Sequence, residues 1–236
     1  MKVQYCSDYG EMSRSGSDSI VADLREKPGQ LICAATGNSP VGVYQNLAAS
    51  YFDEKEVFKK LRIIKLDEWG GIPSTDPNSC ETFIQEKILR PLHISSDRYI
   101  AFKSDPVSPR KECQRIQKEI RLNGPIDICI LGLGKNGHIG FNEPAEALNS
   151  NCHMARLSHQ SLQHAMANTM EIKPRYGLTL GMDDILQSKK IILLITGSNK
   201  QSVISKLLLK RITKQLPASF LWSHTNVECF IDSTAL

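Results

Sequence analysis

Apolar residues in this chain gather into short unbroken runs rather than alternating with polar ones. Leu31–Ala35, Arg62–Leu66, Ile126–Leu133, Lys190–Thr196 and Glu228–Asp232 are such runs. Their length and continuity predict strands covered on both faces, as in a parallel sheet. Arg98–Phe102 and Tyr176–Leu180 are weaker candidates. Between the runs, helical spacing appears in Ser17–Arg25, Val41–Tyr51, Cys80–Leu89, Arg110–Leu122, Gln160–Met170 and Lys200–Lys210. Strand and helix alternate, which predicts βαβ units and a doubly wound α/β fold.

Start signals support these helices. Ser39-Pro40 and Ser108-Pro109 each place a capping residue before a proline at the first helical position. Asn78 with Glu81 three residues later resembles a capping box. A length of 236 residues fits one large domain or two small ones. No repeat, low-complexity tract or linker marks a boundary, and Pro73–Pro77 is a turn-rich loop within the fold. The chain is therefore read as a single domain, 1–236.

Composition narrows the function classes. With 41% hydrophobic and 23% charged residues, the chain has the balance of a globular protein. No apolar run approaches the roughly 18 residues that span a bilayer. The first 19 residues lack an apolar signal core, so a cytoplasmic protein without a membrane partner is expected. The net charge of +4 is mild, basic residues are scattered, and aromatics do not interleave with them. Nucleic acid is therefore not an expected partner. The cysteine count of seven is odd, no C-x-x-C occurs, and reduced thiols are expected.

Four segments could carry chemistry, each where an apolar run ends. Ala34-Ala-Thr-Gly-Asn-Ser-Pro40 leads from a strand into a helix, so free N–H groups and the helix dipole favour an anion there. Thr36 and Ser39 add hydroxyls, Gly37 permits close approach, and Asn38 completes the turn. In Lys65-Leu-Asp-Glu-Trp69, adjacent carboxylates on an extended chain point to opposite sides. Asp67 is a candidate general base. The stretch Gly132–Pro144, GLGKNGHIGFNEP, presents Asn136, His138 and Glu143. His138 could move a proton near pH 7 and Glu143 could orient it; Asn136 can hydrogen-bond but cannot take a proton. Thr196-Gly-Ser-Asn-Lys200 offers Lys200 as a point charge for phosphate. Taken singly, each has a plain alternative: a capped turn, a solvated carboxylate, a histidine satisfied in its turn, a surface lysine.

Several chemistries are disfavoured. Gly132, Gly134 and Gly137 spell G-x-G-x-x-G, but no helical period and no acidic residue follow at the distance a dinucleotide site requires. No cofactor is therefore expected. No His or Cys spacing suits zinc, and no metal is expected. No Gly-x-Ser-x-Gly elbow occurs.

The ordered set ATGNSP, LDEW, GLGKNGHIGFNEP, YGLTLGM and ITGSNK resembles the glucosamine-6-phosphate deaminase family. GLGKNGH and Leu216–Trp222 are most similar to its galactosamine-6-phosphate deaminase/isomerase branch. The resemblance covers roughly residues 30–232. It implies a three-layer α/β/α fold and a metal-free aldose–ketose conversion with loss of ammonia, acting on a small sugar phosphate. It implies Asp67 as the base that moves a proton between C2 and C1, His138 as the ring-opening histidine and Glu143 as its orienting carboxylate. Thr36–Ser39 and Lys200 match the phosphate cradle.

Departures also appear. Asn136 stands where glucosamine-type members usually carry Asp, which should make His138 less basic. The family's phosphate-binding arginine falls near Ala167, leaving His164 or Arg175 as substitutes. The expected reaction is galactosamine 6-phosphate to tagatose 6-phosphate and ammonia, by hydrolysis of an imine. Alternatives are glucosamine 6-phosphate as substrate, a 6-phosphogluconolactonase-like hydrolase, and a non-catalytic sugar-phosphate sensor. The oligomeric state is left open, a homo-oligomer included.

Overall fold

The computed structural model describes every residue except His164. The chain opens with β1 (Lys2–Cys6) and α1 (Tyr9–Glu26), then β2 (Leu31–Ala34), α2 (Asn38–Asp53), a single turn α3 (Lys55–Phe58), β3 (Arg62–Lys65) and β4 (Asp67–Gly70). Next come α4 (Cys80–Ile84), continued as a π-helical turn over Gln85–Leu89, then β5 (Tyr99–Ile100), α5 (Pro109–Asn123) and β6 (Ile128–Gly132). After β7 (His153–Ala155), α6 (His159–Leu162) and α7 (Ala165–Thr169) come β8 (Tyr176–Thr179), α8 (Met182–Leu186), β9 (Lys190–Ile195), α9 (Gln201–Leu208) and β10 (Val227–Asp232).

Among the described residues, seven parallel strands form one sheet in the order β1-β10-β9-β6-β2-β3-β5. Helices cover both faces, as the unbroken apolar runs require. Period two divides each strand between two cores. Leu31, Cys33, Ile64, Cys129, Leu131, Ile191 and Leu193 enter one cluster with Cys113 and Ile116 of α5 and Ile204 and Leu207 of α9. Ile32, Ala34, Ile63, Ile128, Ile130, Ile192 and Leu194 enter the other, with Ile20 and Leu24 of α1 and Val43 and Leu47 of α2. From β2 the chain winds outward through β3 and β5, then returns to place β6 on the other side of β2. The switch point therefore lies between β2 and β6, where ligands bind in open α/β sheets.

Several sequence expectations need correction. Tyr176–Thr179 does not join the main sheet. It is the centre of a small antiparallel sheet, β4-β8-β7. Its mixture of Gly and Thr gave no hint of a partner. The helix expected at Gln160–Met170 is two short helices, and the segment between them includes His164, outside the described residues. The helix foreseen at Ser17 begins at Tyr9, where Asp8 accepts a hydrogen bond from the Glu11 N–H. Ser79, not Asn78, caps α4. α2 is capped by Gly37 at φ +99°, so Ser39 lies inside the helix. Ser108-Pro109 caps α5 as expected. All seven cysteines are buried and unlinked. No helix of the described residues is long and apolar enough to cross a membrane.

Candidate active site

A cleft of about 1010 Å³ opens at the carboxyl ends of β2, β6 and β9. The structure brings Thr36, Gly37, Asn38, Ser39, Asp67, His138 and Lys200 together in its wall. Their separation in sequence is closed by sheet order, because β6 lies between β2 and β9.

The turn after β2 bends at Gly37, whose positive φ an L side chain would resist. Its backbone is held from α1. The Tyr9 hydroxyl donates to the Asn38 carbonyl at 2.9 Å and accepts from the Gly42 N–H at 2.7 Å. Tyr9 also lines the cleft. It lies in the N-terminal stretch to which the sequence assigned no role, and no local pattern links it to a turn 29 residues away.

Asp67 opens β4 and pairs with Thr179. The alternation of an extended chain works here as expected. Asp67 faces the cleft, and Glu68 turns away into a wholly buried ion pair with Lys65. Glu68 accepts from Lys65 Nζ at 2.5 Å and from the backbone N–H groups of Trp69, Cys80 and Glu81 at 2.8, 3.0 and 2.9 Å. Lys65 also reaches Glu81 at 2.8 Å. A buried pair of this kind is costly to break from one side, about 3–5 kcal/mol, so Glu68 is fixed and Asp67 is fixed with it. Burial, reinforced by the Glu68 charge, pushes the Asp67 carboxyl up to about 7, against the pull of His138, Lys65 and the Cys80 thiol. Such a carboxyl exchanges protons near neutrality, as a general base requires.

His138 lies on the loop after β6. Its Nδ1 is 2.7 Å from Asn136 Oδ1, which also accepts from the His138 backbone N–H at 3.1 Å. An amide oxygen can only accept, so Nδ1 carries the proton and Nε2 is left basic. The Asn136 amide then donates to Glu143 Oε2 at 2.8 Å, and that oxygen lies 3.3 Å from His138 Nδ1. Asn136 therefore bridges histidine and carboxylate, a role the sequence did not reveal. Glu143 also accepts from Ser158 at 2.9 Å and from Ser161. Burial alone would raise its pKa. The hydrogen bond and charge of His138, with Ser161 and Asn136, outweigh this and hold the carboxyl near 2. Asn136 and Glu143 sit behind the histidine rather than in the cleft wall.

The loop is tied down at its far end. Asn142 donates to the carbonyls of Ile139 and Leu180 at 3.0 and 2.9 Å, and the Phe141 N–H donates to Thr179 Oγ1 at 3.2 Å. A Cβ on Gly134 would lie 2.4 Å from the His138 ring, so this glycine is what lets the imidazole lie against the loop.

Lys200 precedes α9 and lines the cleft with Thr196, Gly197 and Ser198. Burial, with the charge of Lys135 added, lowers its pKa to about 8. Lys135 is a cleft residue that motif reading passed over, because a lysine in a Gly-rich loop looks like surface. Arg175 is not the substitute cation expected: it is largely exposed, 3.7 Å from Asp105, and outside the cleft wall. His164 lies outside the described residues. Trp69 and Phe141, with rings 4.6 Å apart, form an apolar side of the cleft. No group of three or more His, Cys, Asp or Glu among the described residues could hold a metal ion.

The chain is similar to known proteins along nearly its whole length. Residues 11–230 match the model of a family described as glucosamine-6-phosphate isomerases/6-phosphogluconolactonase. The Escherichia coli K12 protein named "Putative deaminase AgaI" is 38% identical over 98% of this chain and 92% of its own length. Glucosamine-6-phosphate deaminase 1 of Bacillus subtilis 168 is 34% identical over 100% of this chain and 98% of its own. A solved structure of a monomeric glucosamine-6-phosphate deaminase superposes with a TM-score of 0.93 at 34% identity, covering 98% of this chain and 97% of that one. A 6-phosphogluconolactonase from Trypanosoma brucei shares the fold, with a TM-score of 0.75 at 20% identity.

Proposed function

The chain belongs to the glucosamine-6-phosphate isomerase/6-phosphogluconolactonase family, and on that footing we propose that it deaminates an amino-sugar 6-phosphate, with galactosamine 6-phosphate as the preferred substrate. The observation that carries this reading is the pairing, in one cleft, of a buried carboxyl near neutrality with a histidine whose Nε2 is free to accept a proton. The Thr36–Ser39 turn and Lys200 hold the phosphate, leaving the reacting carbons toward Asp67 and His138. His138 takes the proton of the anomeric hydroxyl and returns it to the ring oxygen, which opens the pyranose. Asp67 removes the proton at C2, the electron pair forms the C1–C2 double bond, and O1 takes a proton from the C2 ammonium to give an enolamine. Asp67 returns that proton to C1, and the resulting ketimine is hydrolysed to a ketose phosphate and ammonium. Binding energy from the remote phosphate supports chemistry at C1 and C2.

The epimer preference rests on two residues. Asn136 replaces an acid beside His138, and Trp69 stands where glucosamine-type members usually carry Tyr; both are shared with the galactosamine branch. Trp69 lies in the cleft wall and Asn136 acts through His138, and a polar site that loses one hydroxyl contact can discriminate strongly. Ammonia release is the test, measured with galactosamine 6-phosphate and glucosamine 6-phosphate alongside hydrolysis of 6-phosphogluconolactone. A higher kcat/KM for the galactosamine epimer is expected. A glucosamine preference would overturn the epimer assignment alone. Lactone hydrolysis without ammonia release, or binding without turnover, would overturn the deaminase reading.

A further inference from the structure

The cleft carries more positive charge than its motifs account for. β6 and β9 are neighbours, with Gly132 opposite Leu194, so the loops that leave their carboxyl ends run side by side. One brings Lys135 to the cleft and the other Lys200. Neither lysine has a carboxylate partner among the described residues. The charged or titratable groups of the cleft wall are Tyr9, Asp67, Lys135, His138 and Lys200. Two cations that repel each other beside an open cleft are unfavourable until an anion lies between them, and charge-assisted hydrogen bonds to a phosphate then offset both the repulsion and the burial of Lys200.

We propose that Lys135 is a phosphate-binding residue, gripping a dianionic phosphomonoester jointly with Lys200 above the Thr36–Ser39 turn. This rests on the sugar-phosphate reading of the cleft and names how that group is recognised. The position of Lys135 gives the grip a second consequence. It is the residue before Asn136, whose side chain joins His138 to Glu143. A phosphate held by Lys135 therefore steadies the loop that carries the ring-opening histidine. Lys135 is exposed, so its contribution falls with ionic strength, whereas that of the more buried Lys200 persists.

Calorimetric titration of the intact protein with inorganic phosphate tests this, using wild type, Lys135→Met, Lys135→Arg and Lys200→Met between pH 7.5 and 10. Lys135→Met should weaken phosphate binding by roughly tenfold at low salt and by less at high salt, as expected for loss of one charge-assisted contact. Lys135→Arg should stay close to wild type. Lys200 binds phosphate while protonated, so wild-type affinity should fall as pH rises through about 8. Without the Lys135 charge, Lys200 keeps its proton to higher pH, and the alkaline fall in Lys135→Met should move upward; loss of mere packing would not move it. Unchanged affinity and an unmoved alkaline limb in Lys135→Met, with binding lost in Lys200→Met, would overturn the role of Lys135 and leave the phosphate site standing. Unchanged binding in both variants would overturn the phosphate reading as well.

Discussion

Replacing Asp67 by Asn should lower activity and raise stability together. Asp67 is only 8% exposed, and burial with the Glu68 charge lifts its pKa from 3.8 to about 7. A carboxyl that ionises less readily in the folded protein than in the unfolded chain costs stability whenever it is charged. The sign follows from proton uptake: between pH 3.8 and about 7 the folded state holds a proton that the unfolded chain has released. The cost is therefore complete above about pH 7, shrinks as pH falls toward 3.8, and is absent below it. The interval from 3.8 to about 7 amounts to about 4 kcal/mol. Asn has nearly the same shape and no charge to desolvate, so Asp67→Asn should recover a large part, on the order of 2–4 kcal/mol above pH 7. For a chain of this size that is a rise of roughly 5–10 °C in Tm. At pH 5 the gain should fall below half. Turnover should drop by roughly 10²–10⁴, the usual contribution of a general base, and wild-type kcat/KM should decline as pH falls below about 7. Scanning calorimetry at pH 8 and pH 5, with ammonia release on the same samples, reads both effects. A variant no more stable than wild type at pH 8, or equally stabilised at both pH values, would refute the electrostatic reasoning. Near-normal turnover would refute the base assignment.

Two further substitutions probe the histidine loop. Asn136→Ala removes the amide that joins His138 Nδ1 to Glu143; kcat should fall by at least roughly tenfold in the ammonia-release assay as the imidazole loses its orientation, and an unchanged kcat would contradict the bridge. Gly134→Ala should leave the protein folded by circular dichroism yet cut kcat by at least roughly tenfold, since a Cβ 2.4 Å from the imidazole displaces it; unchanged kcat would show that the ring has room to move.

Much of the fold was legible because continuous burial leaves a local signature. The runs at residues 31–35, 62–66, 126–133, 190–196 and 228–232 all fall on strands of the main sheet, within a residue or two at their ends. Apolar residues must fill both faces of a covered strand, whatever its neighbours are. Alternation likewise foretold that Asp67 and Glu68 would part company. Partnerships between distant residues were not legible. The pairing of Asp67 with Thr179, the hold of Tyr9 on the turn at Asn38 and the approach of Lys135 to Lys200 each depend on which strands become neighbours. The division of the helix expected at Gln160–Met170 into α6 and α7 and the two-residue shift of the α2 cap from Ser39 to Gly37 likewise escaped a reading based on period. Sequence spacing determines which side of a strand or helix a residue takes. Only the closing of two cores around one sheet decides what that side will meet, because the burial that fixes strand order is shared by the whole chain and written in no single segment of it.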